Sequence, residues 1–147
     1  AAAEFVAKIN LAIVKLEKNL NIFIEKIRKI NPNLEIVLVG YNILFSSSMK
    51  FFDKLLTNEL GLPNNYTIIA LKQLNEAVKK VAQKQGINFV DLYNERSWLD
   101  KANKFAKNEF DIHPSTKGYK KMAQDLLFKL ALEQGPNFKT DYFEKLD

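Results

Sequence analysis

Two stretches of this chain repeat one arrangement: an amphipathic helical pattern, a short stop, then a compact apolar run. In the first, Ile9, Ile13, Leu16, Leu20, Phe23, Ile24, Ile27 and Ile30 recur at steps of three and four from about Glu4 to Ile30, with Lys15, Glu17, Lys18, Glu25 and Lys26 between them. That is the period of a long helix with one apolar face. Asn31-Pro32-Asn33 stops it, because proline disfavours helical geometry in the residue before it. Glu35 to Gly40, reading Glu-Ile-Val-Leu-Val-Gly, is then expected to be a strand buried on both faces. In the second, Leu71, Leu74, Val78, Val81 and Ala82 mark a helix face, Gly86 ends the helix near Lys84, and Ile87 to Leu92 is another buried run. Helix followed by buried strand, twice over, calls for a parallel sheet covered by helices. It excludes a helical bundle and an all-β sandwich.

The remaining segments are placed around this frame. A short helix is expected from Met49 to Leu60, carrying Phe51, Phe52, Leu55 and Leu56, before a turn at Gly61-Leu62-Pro63-Asn64-Asn65. It leaves from the carboxyl end of the first strand, where ligands bind in open parallel sheets. The connection is therefore either a wall of a site or packing alone. A polar stretch from Asn94 to Asn108, partly helical around Trp98 to Phe105, follows the second strand. Tyr119, Met122, Ala123, Leu126, Leu127 and Leu130 mark a last helix, N-capped by Ser115 or Thr116, with Tyr119 packed toward the sheet and Gly135-Pro136 closing it. Residues 135–147 form a polar tail.

At 147 residues and 47% hydrophobic, the chain fits one domain with a real core. With no cysteine and one histidine, disulfides and thiolate metal sites are excluded and few zinc candidates remain; carboxylate sites for harder cations stay open. No apolar run approaches the roughly 20 residues that cross a bilayer, and the start has neither the basic nor the apolar region of a signal peptide. No targeting segment is expected in this chain, and the compartment is unassigned. The net charge of +5 comes from lysines dispersed among glutamates, the pattern of solvated helix faces rather than of a nucleic-acid patch.

The single histidine stands in Asp111-Ile112-His113-Pro114-Ser115-Thr116-Lys117-Gly118-Tyr119. Pro114 keeps His113 extended, so its imidazole is presented from a stiffened loop. An aspartate beside a histidine can hold its tautomer and stabilise the imidazolium that forms when it takes a proton from a serine. Asp111, two residues away, shares a face with His113 if the segment is extended. It is equally placed to be a turn residue, and a lone histidine also serves as a surface or capping residue.

The block Asp111-Ile112-His113-Pro114-Ser115 followed by Gly118-Tyr119 and an amphipathic helix resembles the last conserved block of the SGNH (GDSL-type) serine esterases and lipases. The likeness extends upstream, through Asn31-Pro32, Ile36-Val37-Leu38-Val39-Gly40-Tyr41, Leu74-Asn75 opening a helix that ends in Gly86, and Phe89-Val90-Asp91-Leu92. It covers roughly Phe5 to Leu132. The resemblance implies a three-layer α/β/α fold with a parallel sheet, hydrolysis of acyl or lipid esters without a metal or other cofactor, and a Ser-His-Asp triad. In it His113 is the general base; Asp111, one place off the family's acid position, is either its acid or a structural residue beside a histidine oriented by another acceptor such as a main-chain carbonyl, and the family suggests a secreted or cell-surface setting. Tyr41 and Asn42, at the mouth of the first strand, would line the substrate cleft.

Three departures shape this expectation. No Gly-Asp-Ser occurs in the chain, nor the Gly-x-Asn-Asp block that supplies an oxyanion-hole asparagine. The acid also stands three residues before the histidine in the family, where this chain has Phe110. The chain is accordingly expected to be the C-terminal portion of one hydrolase domain, residues 1–134, completed by an N-terminal half that carries nucleophile and oxyanion donors. Alone it would be inactive. Ser46-Ser47-Ser48 reads as a loop without the sharp turn that exposes a nucleophile, Ser115 as a cap, and Ser97 has no local support. The alternative is a non-catalytic, degenerate hydrolase fold that binds lipid head groups, a membrane surface or another anionic partner.

Overall fold

The computed structural model describes residues 1–41, 47–92, 105–108, 111 and 113–134. They fall in two compact units, Ala1–Tyr41 with Phe51–Asp91, and Asn42–Lys50 with Leu92–Asp147. The tail at 135–147 and most of the polar stretch before the histidine lie outside the described residues.

The first unit contains α1 (Ala2–Ile30), β1 (Val37–Val39), most of α2 (Ser47–Leu60), α3 (Tyr66–Gln85) and β2 (Asn88–Val90). β1 and β2 pair in parallel, with Val37 opposite Asn88, Leu38 opposite Phe89 and Val39 opposite Val90. Helices and a parallel pair joined through a helical crossover make the chain α/β. α3 packs on both strands and against α1. Val81, Ala82 and Ile24 are fully or almost fully buried.

The strands are shorter and more open than their apolar runs suggest. Val90 is 1% exposed but Val39 is 36% exposed, and Val37, Leu38 and Phe89 are half-buried. The expectation of burial on both faces is therefore corrected. Each strand has one hydrogen-bonded neighbour among the described residues, and α3 is the helix with substantial packing on both, so there is less to cover them than a fully enclosed strand requires.

The face of α1 is likewise rotated from its purely apolar reading. Phe23 and Ile30 are exposed, whereas Asn21 is buried. Phe23 lies one residue, about 100° of helix, from Ile24, which takes the core position. Asn21 is satisfied there: its Nδ2 donates to Glu17 O and its Oδ1 accepts from Gln85 Nε2. Arg28 also donates to the side-chain and main-chain oxygens of Gln85, tying the ends of α1 and α3 together.

α3 is set at both ends. Gly86, at φ 62°, closes it with its N–H directed to Ala82 O and Gln83 O, a left-handed cap that glycine adopts without strain. At the start Asn65 is also left-handed, and its own side chain makes no cap. Asp53 of α2 does that job instead, accepting from Asn65 N at 2.5 Å, Thr67 N at 2.9 Å and Thr67 Oγ1 at 3.0 Å. A buried carboxylate at a helix N-terminus satisfies free N–H groups and faces the positive end of the helix dipole. The helix extends back to Tyr66, so Asn75 lies in its interior rather than at its opening.

In the second unit, α4 (Thr116–Gln134) packs Met122 against Phe105 and Ala106. No helix among the described residues is long and apolar enough to cross a membrane.

Candidate functional site

The loop that carries His113 is pinned on both sides. Ala106 and Pro114 form an antiparallel bridge, Lys107 N donates to His113 O at 3.1 Å, and Ser115 N donates to Phe105 O at 2.6 Å. Ser115 then starts α4, its Oγ accepting from Gly118 N and its main-chain oxygen from Tyr119 N. Ser115 rather than Thr116 is thus the N-cap. Gly118 allows the close approach of the preceding segment: a Cβ there would stand 2.5 Å from Phe105 O and 2.8 Å from Pro114 Cβ. With Gly118 turned inward, Tyr119 is rotated away and is 56% exposed. This corrects the expectation that Tyr119 packs its helix.

Within this frame Asp111 Oδ1 accepts from His113 N at 2.9 Å and lies 2.6 Å from His113 Nδ1. A carboxylate only accepts, so Nδ1 carries the hydrogen and Nε2 is the ring's basic position in the neutral form. The His113 side chain is 70% exposed against 23% for Asp111. The hydrogen bonds from the His113 main chain and ring hold the Asp111 carboxyl below its ordinary value of 3.8 against an opposing desolvation, with the charges of His113 and Lys107 adding smaller contributions in the same direction as the hydrogen bonds. Asp111 is accordingly ionised at neutral pH. This leaves Nε2 as the ring position that can accept a proton.

In the first unit, the carboxyl end of β1 is built around Tyr41. Gly40 N donates to Val90 O, continuing the ladder past the strand proper. Tyr41 N donates to Asn75 Oδ1 at 2.7 Å, and Asn75 Nδ2 donates to Tyr41 O at 2.9 Å. Asn75 is buried, while Tyr41 is 55% exposed. A Cβ on Gly40 would meet Asp91 Oδ1 and Phe89 Cζ at 3.2 Å and Asn75 Cγ at 3.4 Å, so glycine lets these groups gather.

The structure thus joins Asp111 to His113 and sets Tyr41 at a strand end. Asn42, Ser46, Ser97 and Phe110 lie outside the described residues, and Ser47 and Ser48 open α2. Reading the sequence for chemistry passed over Asn75 and Asp53. Both carried a signal: Asn75 sits four residues after Leu71 and three before Val78 on an apolar helix face, and Asp53 three before Leu56. A polar group in such a stripe must be satisfied when buried.

Searches of curated proteins and of solved structures find no match. The model of the GDSL-like Lipase/Acylhydrolase family matches residues 2–121, most of the chain, including both strands and the Asp111–His113 loop. The chain belongs to the GDSL-like lipase/acylhydrolase family, whose members are ester hydrolases.

Proposed function

We propose that His113 is the general base of a serine ester hydrolase and that Asp111 orients it. The observation that carries this reading is the 2.6 Å contact between His113 Nδ1 and Asp111 Oδ1 on an otherwise exposed ring. Nε2 takes the proton of a serine hydroxyl as Oγ attacks the ester carbonyl carbon. Asp111 stabilises the resulting imidazolium without itself taking the proton. The imidazolium then protonates the departing alkoxide, leaving an acyl-serine. Water, deprotonated in turn by His113, releases the acid.

The nucleophile and the oxyanion donors of this reading are encoded outside these 147 residues, in an N-terminal half of the same domain, since the chain holds no Gly-Asp-Ser and no Gly-x-Asn-Asp. The two parallel strands and α3 are read as part of a three-layer α/β/α sheet. Tyr41 and Asn42 are read as substrate contacts, in keeping with ligand binding at the carboxyl ends of parallel strands.

A fluorophosphonate probe tests the proposal in the intact protein, meaning this chain together with the N-terminal half that the reading requires. It phosphonylates a serine whose proton a histidine removes, with fluoride as leaving group. One serine labelled in the native protein, and left unlabelled after His113→Ala, is the expected outcome. Absence of labelling, or labelling indifferent to His113, overturns it.

A further inference from the structure

We infer that Asn75 is a positioning residue that holds Tyr41 in place for contact with the apolar part of an ester substrate, an inference that rests on the reading of Tyr41 as a substrate contact. Asn75 is 6% exposed, in the middle of the apolar face of α3. An amide there is costly unless satisfied, and both of its polar atoms are committed to one residue, accepting from Tyr41 N at 2.7 Å and donating to Tyr41 O at 2.9 Å. The carboxamide thereby acts as a one-residue neighbouring strand. It does so just past Gly40 N to Val90 O, where β1 is leaving the ladder.

Packing α3 on the sheet would need only an apolar side chain at this position. What the amide adds is a fixed main chain at Tyr41. The backbone is clamped while the ring stands 55% exposed, a rigid aromatic surface with a polar tip. Gly40 is part of the same device, since a Cβ there would crowd Asn75 Cγ at 3.4 Å and Asp91 Oδ1 at 3.2 Å. Loss of the clamp leaves the β1–β2 pairing intact and frees Tyr41, so binding pays the ordering that the amide now supplies in advance.

The test is binding of a medium-chain acyl amide, the non-hydrolysable counterpart of the ester, by calorimetry with the intact protein. Asn75→Ser is expected to weaken binding about three- to tenfold, with Asn75→Asp, which keeps the acceptor for Tyr41 N but loses the donor, between it and the native protein. Tyr41→Ala weakens binding as well, and adding Asn75→Ser to it has no further effect, because the amide acts through Tyr41. Hydrogen exchange at the Tyr41 amide should rise in Asn75→Ser while the Gly40 amide stays protected, which separates a freed residue from a lost sheet. Additive losses, unchanged affinity in Asn75→Ser, or no binding by the native protein overturns the inference. Because binding needs no serine, a protein that binds the amide with this pattern yet hydrolyses no ester sinks the triad and not the role of Asn75.

Discussion

One oxygen, Oδ1 of Asp111, receives both the main-chain N–H of His113 at 2.9 Å and its ring Nδ1 at 2.6 Å. The first bond is an Asx turn that shapes the loop. The second sets the imidazole tautomer. Loop shape and imidazole tautomer are therefore set by one atom, and the two separate on substitution. Asp111→Asn retains an oxygen for the turn but loses the charge that favours the imidazolium, so the loop should persist while ester hydrolysis by the intact protein falls about 10²–10⁴-fold. Circular dichroism and kcat/KM on one sample check both halves. Loss of the fold with the activity would make Asp111 a turn residue alone.

The same pair gives the loop a pH dependence. The folded carboxyl of Asp111 is lowered from 3.8 by the hydrogen bonds from His113. A lowered value means that the stabilisation is present above 3.8 and is lost only as pH falls through the lower, folded value. An NMR titration of the Asp111 carboxyl carbon should show a midpoint below 3.8. In His113→Ala, which removes the ring contact but keeps the main-chain donor, the midpoint should move part of the way back up. A native midpoint at or above 3.8 contradicts the geometry.

Gly118 lies within the first turn of α4, where alanine would ordinarily gain up to about 1 kcal/mol in helix propensity. The cost of a Cβ 2.5 Å from Phe105 O outweighs that gain, since the obstacle is main chain and relief means moving the segment that pins the histidine loop. Gly118→Ala should destabilise by about 1–3 kcal/mol in urea unfolding, with faster exchange at the Ser115 amide. Equal or greater stability would show that Phe105 gives way freely.

Asp53 holds the start of α3 through three hydrogen bonds to Asn65 and Thr67. Asp53→Ala takes the buried acceptor from donors on exposed Asn65 and half-buried Thr67 and should cost about 1–2 kcal/mol in urea unfolding, the range of a lost helix cap. Asp53→Asn keeps an acceptor and should cost less. A loss under about 0.5 kcal/mol in Asp53→Ala, the range of an ordinary surface change, would mean that water replaces the carboxylate.

The helices and strands were legible where one physical signal dominated. The 3.6-residue period places α1 and α3, Gly86 stops α3, and the compact apolar runs give both strands, whose parallel pairing follows from the helices between them. Burial was less legible, because an apolar run states what a strand tolerates and not what covers it, as the exposure of Val39 shows. At the histidine loop, spacing left Asp111 between two roles, and only the fold reveals that one oxygen meets both donors. Tyr119 was misread because the space beside α4 is taken by Gly118 and Phe105 O, a contact between residues thirteen apart. Asn75 escaped for the same reason: its partners are main-chain atoms 34 residues away.

The central claim is that the imidazole of His113 moves the proton in ester hydrolysis. The direct measurement is kcat/KM of the intact protein toward a short p-nitrophenyl ester, beside its His113→Ala variant shown by circular dichroism to be folded. A fall of about 10²–10⁴-fold in the variant is the predicted result. Equal rates with and without the imidazole would contradict it.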